Sequence, residues 1–243
     1  MISLPPNTEL MADAEATARA AAEHLLAMAE SAEGERIAIC LSGGSTPKRL
    51  YKLLASPGFA ERVPWARIHW FFGDDRVVPW DDALSNVRMV REAFGHAAPV
   101  PATHLYFIPS DRGAETGARA YEKTLRDFYG ATQFDPERPL FDLVLLGLGS
   151  DGHTASLFPG KPALSERTAW VAPVPEAGLE PFVPRISLTF PALASSRSVL
   201  FLVNGASKRE PLQRLADGED LPARHVVSAG RVTWYVDRDA AAA

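Results

Sequence analysis

Between Phe141 and Gly160 the chain reads FDLVLLGLGSDGHTASLFPG. An apolar run of strand length, closed by a glycine turn, belongs to a strand covered on both faces. Such strands sit in parallel sheets flanked by helices. A second run of the same kind, IAICL, ends in the turn LSGGSTP at Leu41–Pro47. Open α/β sheets bind ligands outside the carboxyl ends of such strands. The turn after Leu146 brings Asp151, His153, Thr154 and Ser156 to that position.

The rest of the chain alternates in the same sense. Asn7 or Thr8 is placed to cap a helix predicted over Glu9–Ser31, rich in Ala, Leu and Glu. Strands are predicted over Arg36–Leu41, Arg67–Phe72, His104–Ile108, Phe141–Leu146, Arg185–Phe190, Val199–Val203 and Arg231–Val236. Between them lie helices at Pro47–Leu54, from a Ser85 cap to Phe94, at Gly113–Tyr129, from Pro191, and at Lys208–Ala216 behind a Ser207 cap. Gly160–Pro184 is proline-rich and reads as a covering loop with a short strand at Trp170–Val174. The expected architecture is α/β: three layers, a mainly parallel doubly wound sheet, helices on both faces, residues 1–243 in one domain.

With 47% hydrophobic residues in 243, the core needs no disulfide or metal to hold it. The lone cysteine, Cys40, lies in the apolar IAIC run and reads as a buried structural thiol. No stretch approaches the ~20 apolar residues of a membrane span. The first residues lack the basic start and apolar run of a signal peptide. A cytoplasmic protein is expected. A net charge of −5 argues against general nucleic-acid binding but leaves room for a local basic pocket.

Three turns carry chemistry. In LSGGSTP, Gly43 and Gly44 let the backbone approach an anion, Ser45 and Thr46 add hydroxyls, and a helix N-terminus follows. The plainer alternative is an ordinary strand-to-helix turn; position, glycines and hydroxyls together favour an anion site, and the spacing is not that of a Walker A loop. In FFGDDR, Asp74, Asp75 and Arg76 form a compact charge cluster at another strand end. In GLGSDGHTAS, Gly147, Gly149 and Gly152 spell G-x-G-x-x-G. A dinucleotide site is nevertheless disfavoured. Three βα units precede the motif, and the acid expected ~20 residues on at a strand end is missing. His153 suits general-base work near neutral pH, with Asp151 two residues away to orient it. Arg185 before a strand and Lys208 in the first turn of a helix are candidate anion ligands. No G-x-S-x-G elbow is present, and the other histidines lack metal-ligand spacing.

Taken together, LSGGSTP, FFGDDRVVP with Ser85–Asn86, GLGSDGHTASLFPG and RISLTFPAL resemble, in order and over most of the chain, the glucosamine-6-phosphate deaminase/6-phosphogluconolactonase family, on its lactonase side. One departure is Asp75, where that pattern more usually has Glu. The resemblance implies the fold shared with glucosamine-6-phosphate deaminase and ribose-5-phosphate isomerase. It implies hydrolysis of 6-phosphoglucono-δ-lactone to 6-phosphogluconate in the oxidative pentose phosphate pathway. No metal or organic cofactor is expected, and the partner is a small-molecule substrate, neither nucleic acid nor membrane.

On that reading His153 takes a proton from water and returns one to the leaving oxygen, with Asp151 orienting it. Arg76 or backbone N–H groups meet the oxyanion, and Asp74 contacts sugar hydroxyls or assists proton transfer. Gly43, Gly44, Ser45, Thr46, Arg185 and Lys208 hold the phosphate, with Asn86 and Gly149 also at the binding site. The nearest alternative is a deaminase-like isomerase. That resemblance calls for a glutamate five positions after the histidine, where this chain has Phe158. A non-catalytic phosphosugar sensor, which typically lacks the histidine, is a further alternative.

Overall fold

The computed structural model describes residues 4–242. The first half runs β1 (Thr8–Met11), α1 (Ala14–Ser31), β2 (Ile37–Leu41), α2 (Ser45–Leu54), β3 (Ile68–Phe72), β4 (Asp74–Arg76), α3 (Asn86–Phe94), β5 (Leu105–Tyr106) and α4 (Gly113–Tyr129). The second runs β6 (Phe141–Leu146), β7 (Val171–Val174), β8 (Arg185–Leu188), α5 (Phe190–Ala194), β9 (Ser196–Val203), α6 (Arg209–Ala216), β10 (Arg231–Asp237) and α7 (Arg238–Ala241). Seven strands form one sheet in the order β1-β10-β9-β6-β2-β3-β5. Every pairing in it is parallel. All residues of β2 and β3 are buried, so both faces of the sheet centre are covered, as their unbroken apolar sequences require.

The strand order reverses between β2 and β6. From β2 the sheet grows through β3 and β5; on the other side of β6 lie β9, β10 and β1. The two central strands pair Ile39 with Leu143 and Cys40 with Val144. Their connections therefore leave in opposite directions, opening a crevice at their carboxyl ends.

The ends of β2 and β3 are pinned from below. The buried Tyr51 hydroxyl accepts from Ser42 N at 2.9 Å and donates to Ser42 O at 2.8 Å. Tyr121 does the same for Phe72, with 2.8 and 3.0 Å. Each hydroxyl satisfies a backbone donor and acceptor that the sheet no longer pairs. Burial drives both phenols above their ordinary pKa.

Several expected boundaries move. The helix predicted from Glu9 begins at Ala14, because Thr8–Met11 pairs with Trp234–Asp237 as an edge strand. Its cap is Asp13, whose carboxylate accepts from Ala16 N at 2.8 Å, and neither Asn7 nor Thr8. Ser207 caps nothing: it lies inside a 3₁₀ turn, Ala206–Lys208, and Lys208 itself stands at the N-cap of α6. Phe190 opens α5 and does not end a strand.

The larger departure is a second sheet. Arg185–Leu188 and Val171–Val174 do not join the parallel sheet. They pair antiparallel, and β8 pairs antiparallel with β4, giving the order β4-β8-β7. Helix α4 packs on β7 and β8, while α1, α2 and α3 pack side by side elsewhere. Among the described residues no helix is long and apolar enough to cross a membrane.

Candidate active site

The crevice between β2 and β6 holds a cavity of about 290 Å³. Residues 42–47 after β2 form one wall and residues 147–150, His153 and Ala155 after β6 form another. Asp74 and Arg76 of β4, Asn86 at the start of α3, Leu179, Arg185 of β8 and Lys208 complete it. All the sequence-predicted site residues except Asp151 line this one cavity, and Asp151 reaches it through His153.

The His153 Nδ1 lies 2.5 Å from Asp151 Oδ1, and the same oxygen accepts from His153 N at 3.1 Å. The carboxylate thus fixes the ring tautomer with hydrogen on Nδ1, leaving Nε2 as the acceptor. Burial raises the Asp151 pKa, but its hydrogen bonds and charge interaction with His153 outweigh that and hold it below the ordinary value. Gly149 is required beneath the ring. A Cβ there would collide with the imidazole, and Gly149 N also donates to His153 O at 2.8 Å. Ala155 adopts a left-handed φ of 48°, a conformation rare for a residue with a side chain, at the turn that presents His153.

Strand alternation separates the two adjacent aspartates. Asp74 and Arg76 face the cavity, and Asp75 points away. Asp75 Oδ1 accepts from Asn86 N at 2.7 Å and Arg76 N at 2.8 Å, while Oδ2 accepts from Ser85 Oγ at 3.0 Å. It anchors the start of α3 to β4, and burial lifts its pKa to about 6. Asp74 instead accepts from Ser156 Oγ at 2.6 Å, and its carbonyl accepts from Asn86 Nδ2 at 2.9 Å. Asn86 also packs so closely on Gly43 that any Cβ at that position would overlap it. One amide thereby ties the glycine turn after β2 to β4. Ser156, named only as part of the polar turn, proves to be the partner that orients Asp74.

Three cations line the cavity against one carboxylate, Asp74, in a chain whose net charge is −5. Arg76 stands directly opposite Arg185 in the β4–β8 register. Arg76 Nη1 donates to Leu84 O at 2.5 Å, and Arg185 Nη2 to Pro181 O at 3.1 Å. Both keep a buried Nε–H without a partner among the described residues. Buried donors are normally satisfied, so these two mark capacity left for a ligand. The Lys208 ammonium donates to Leu148 O at 2.6 Å, which binds the start of α6 to the turn after β6. Burial lowers the pKa of Arg185, against the pull of Asp74, and lowers that of Lys208, against the pull of Asp151. Opposite them, α2 starts at Ser45 with no side-chain cap, so its first N–H groups face the cavity beside the Ser45 and Thr46 hydroxyls.

The arrangement joins an anion cradle to a carboxylate-oriented imidazole. It can hold a phosphorylated small molecule and present a base to water within one cavity. Among the described residues no cluster of three His, Cys, Asp or Glu is placed to hold a metal ion. Phe158, marked in the sequence only as the residue standing where a deaminase-like chain would carry glutamate, proves to be a buried ring packed on His153.

Known proteins resemble this chain in sequence and fold. A family model described as glucosamine-6-phosphate isomerases/6-phosphogluconolactonase matches residues 12–234. A 6-phosphogluconolactonase from Synechocystis sp. is 40% identical over 221 residues, covering 88% of this chain and 86% of the relative. The structure of 6-phosphogluconolactonase from Thermotoga maritima aligns with a TM-score of 0.81 at 31% identity, over 95% of this chain and 99% of that one. A monomeric glucosamine-6-phosphate deaminase, 21% identical, has the same fold, with a TM-score of 0.80 over 97% of this chain and 98% of its own.

Proposed function

The chain belongs to the glucosamine-6-phosphate isomerase/6-phosphogluconolactonase family, and from that premise we propose that it hydrolyses 6-phospho-D-glucono-1,5-lactone to 6-phospho-D-gluconate in the oxidative pentose phosphate pathway. The observation that carries this reading is an imidazole held by a carboxylate at 2.5 Å, at the edge of a cavity lined by three cations.

The reaction asks little of the protein beyond placement, because a cyclic ester of this kind is already reactive. Water attacks the lactone carbonyl carbon and gives a proton to His153 Nε2. The imidazolium that forms is stabilised by Asp151. The carbonyl oxygen becomes an oxyanion, which Arg76 neutralises in a site partly closed to water. As the ring C–O bond breaks, the imidazolium returns the proton to the departing ring oxygen. Gly43, Gly44, Ser45, Thr46, Arg185 and Lys208 hold the phosphate and so fix the carbonyl in register with the base. Asp74 and Asn86 take sugar hydroxyls, and Gly149 gives the imidazole room.

Where a deaminase would place a carboxylate near the histidine, Phe158 sets a buried hydrocarbon ring. The same reading treats residues 1–243 as one domain, since strands from both halves of the chain alternate in one sheet. It also places the protein in the cytoplasm, with the buried Cys40 as a reduced structural thiol.

The test is lactone hydrolysis with substrate generated in situ by glucose-6-phosphate dehydrogenase. Wild type should accelerate the loss of lactone above its spontaneous rate, and His153→Ala should lose ~10²–10⁴-fold of the acceleration. Equal rates with and without wild-type protein would reject the assignment.

A further inference from the structure

Phe158 is fully buried and does not line the cavity. Its ring packs against the His153 imidazole, with centroids 4.5 Å apart and planes at 42°. The Arg185 guanidinium carbon lies 5.3 Å from the centroid of the same ring. Gly178 presses on it: a Cβ at that glycine would stand 2.9 Å from Phe158 Cβ and 3.0 Å from the ring. The Gly178 backbone therefore closes one side of the buried ring. If burial alone mattered, an aliphatic side chain would fill this place equally well. What an aliphatic chain lacks is a π face that attracts a guanidinium and an aromatic edge and face that pack, tilted, against an imidazole.

The substrate of the proposed reaction carries its phosphate and its carbonyl at opposite ends. The group that holds the first and the base that serves the second must keep a fixed separation. His153 is already held at Nδ1 by Asp151 and from beneath by the Gly149 backbone. Neither contact refers its position to Arg185; Phe158 does.

On the functional reading above, we propose that Phe158 is a positioning residue for the hydrolysis, whose ring contacts both His153 and Arg185 and keeps the base in register with the anion site. Its replacement should disturb turnover through His153 and affinity through Arg185, together.

The experiment uses the full chain with Phe158→Leu and, in parallel, Phe158→Met, which refills the volume with a flexible chain. Melting curves fix a temperature at which each variant is folded. There kcat and KM are measured for the lactone, and 6-phosphogluconate binding is measured by calorimetry. Since a misplacement of ~1 Å costs about 10²-fold, kcat should fall by ~10–10²-fold in a folded variant, with KM and the product dissociation constant both raised. In an Arg185→Ala background the Phe158 substitution should no longer weaken product binding, because the partner is gone. A purely structural Phe158 would lower the melting temperature yet leave kcat and KM of the folded variant within about twofold of wild type, which would overturn the inference. Loss of hydrolysis in the wild type itself would instead reject the functional reading and the inference with it. An active wild type with unaffected variants would remove the inference alone.

Discussion

Arg76 and Arg185 occupy the same register position on adjacent antiparallel strands, two cations directly across from each other at the rim of the cavity. Like charges so placed oppose folding, and a bound anion relieves them. Inorganic phosphate or 6-phosphogluconate should therefore raise the melting temperature of the wild type. At about a hundred times the dissociation constant the gain is ~2.7 kcal/mol, and ~2–4 °C per kcal/mol is expected for a chain of this size. Arg185→Ala should erase most of that rise. Differential scanning calorimetry with and without ligand decides it, and an unchanged ligand-induced shift in Arg185→Ala would refute the phosphate assignment.

Asp151 does not line the cavity and makes its direct contact with His153, at 2.5 Å from Nδ1. Asp151→Asn keeps the shape but no longer specifies the tautomer with Nε2 unprotonated. It should lower kcat substantially while leaving KM near wild type, since no phosphate ligand is touched. A rise in KM with normal kcat would mean that Asp151 belongs to binding and not to the base.

Two buried groups give opposite pH dependences. Asp75 ionises at 3.8 when exposed and near 6 in the fold, mainly through burial. Between these values the fold holds more protons than the unfolded chain, so stability falls as pH rises. His69 moves the other way, from 6.5 to about 4, through burial and the charges of His104 and Arg36. There the unfolded chain holds more protons, and stability falls as pH falls. Across about pH 4–6 the two contributions cancel in part. Asp75→Asn should steepen acid destabilisation, and His69→Phe should leave a fold that weakens toward pH 6. Urea melts across this range test both. Identical slopes for wild type and Asp75→Asn would refute the account.

The Tyr51 hydroxyl takes both backbone groups of Ser42, where β2 turns into the glycine loop. Tyr51→Phe strands a buried N–H and a buried C=O, at ~1–3 kcal/mol each when no water replaces the hydroxyl. The variant should melt several degrees lower and bind 6-phosphogluconate more weakly, because the loop that holds the phosphate loses its anchor. Normal affinity with a lower melting point would restrict Tyr51 to stability.

What the sequence disclosed follows from how locally each feature is encoded. β2 and β6 were plain because their apolar runs and glycine exits are contiguous, and their crevice follows from the parallel-sheet rule. His153 and Asp151 were legible because they are two residues apart in a turn. The small antiparallel sheet was not. Asp74–Arg76 is three polar residues long, and only pairing with the distant Arg185–Leu188 makes it a strand. The family resemblance set Asp74 apart from Asp75, and strand alternation supplies the physical reason, giving one to the cavity and the other to the start of α3. The start of α1 was misplaced because pairing with β10 overrides the helix preference of Glu9 and Leu10.

The reversal of strand order between β2 and β6 also governs how the protein is made. The glycine loop leaves the ribosome early, yet its opposite wall follows Leu146 and its last cation is Lys208. A growing chain therefore carries half a crevice, with β2 lacking a neighbour on one edge, until β6 is synthesised and inserts beside it. The lining is therefore complete only once Lys208 has been added. Cutting the chain between α4 and β6 would leave each piece with part of the lining, and the whole site would return only when the central strand pair reassembles.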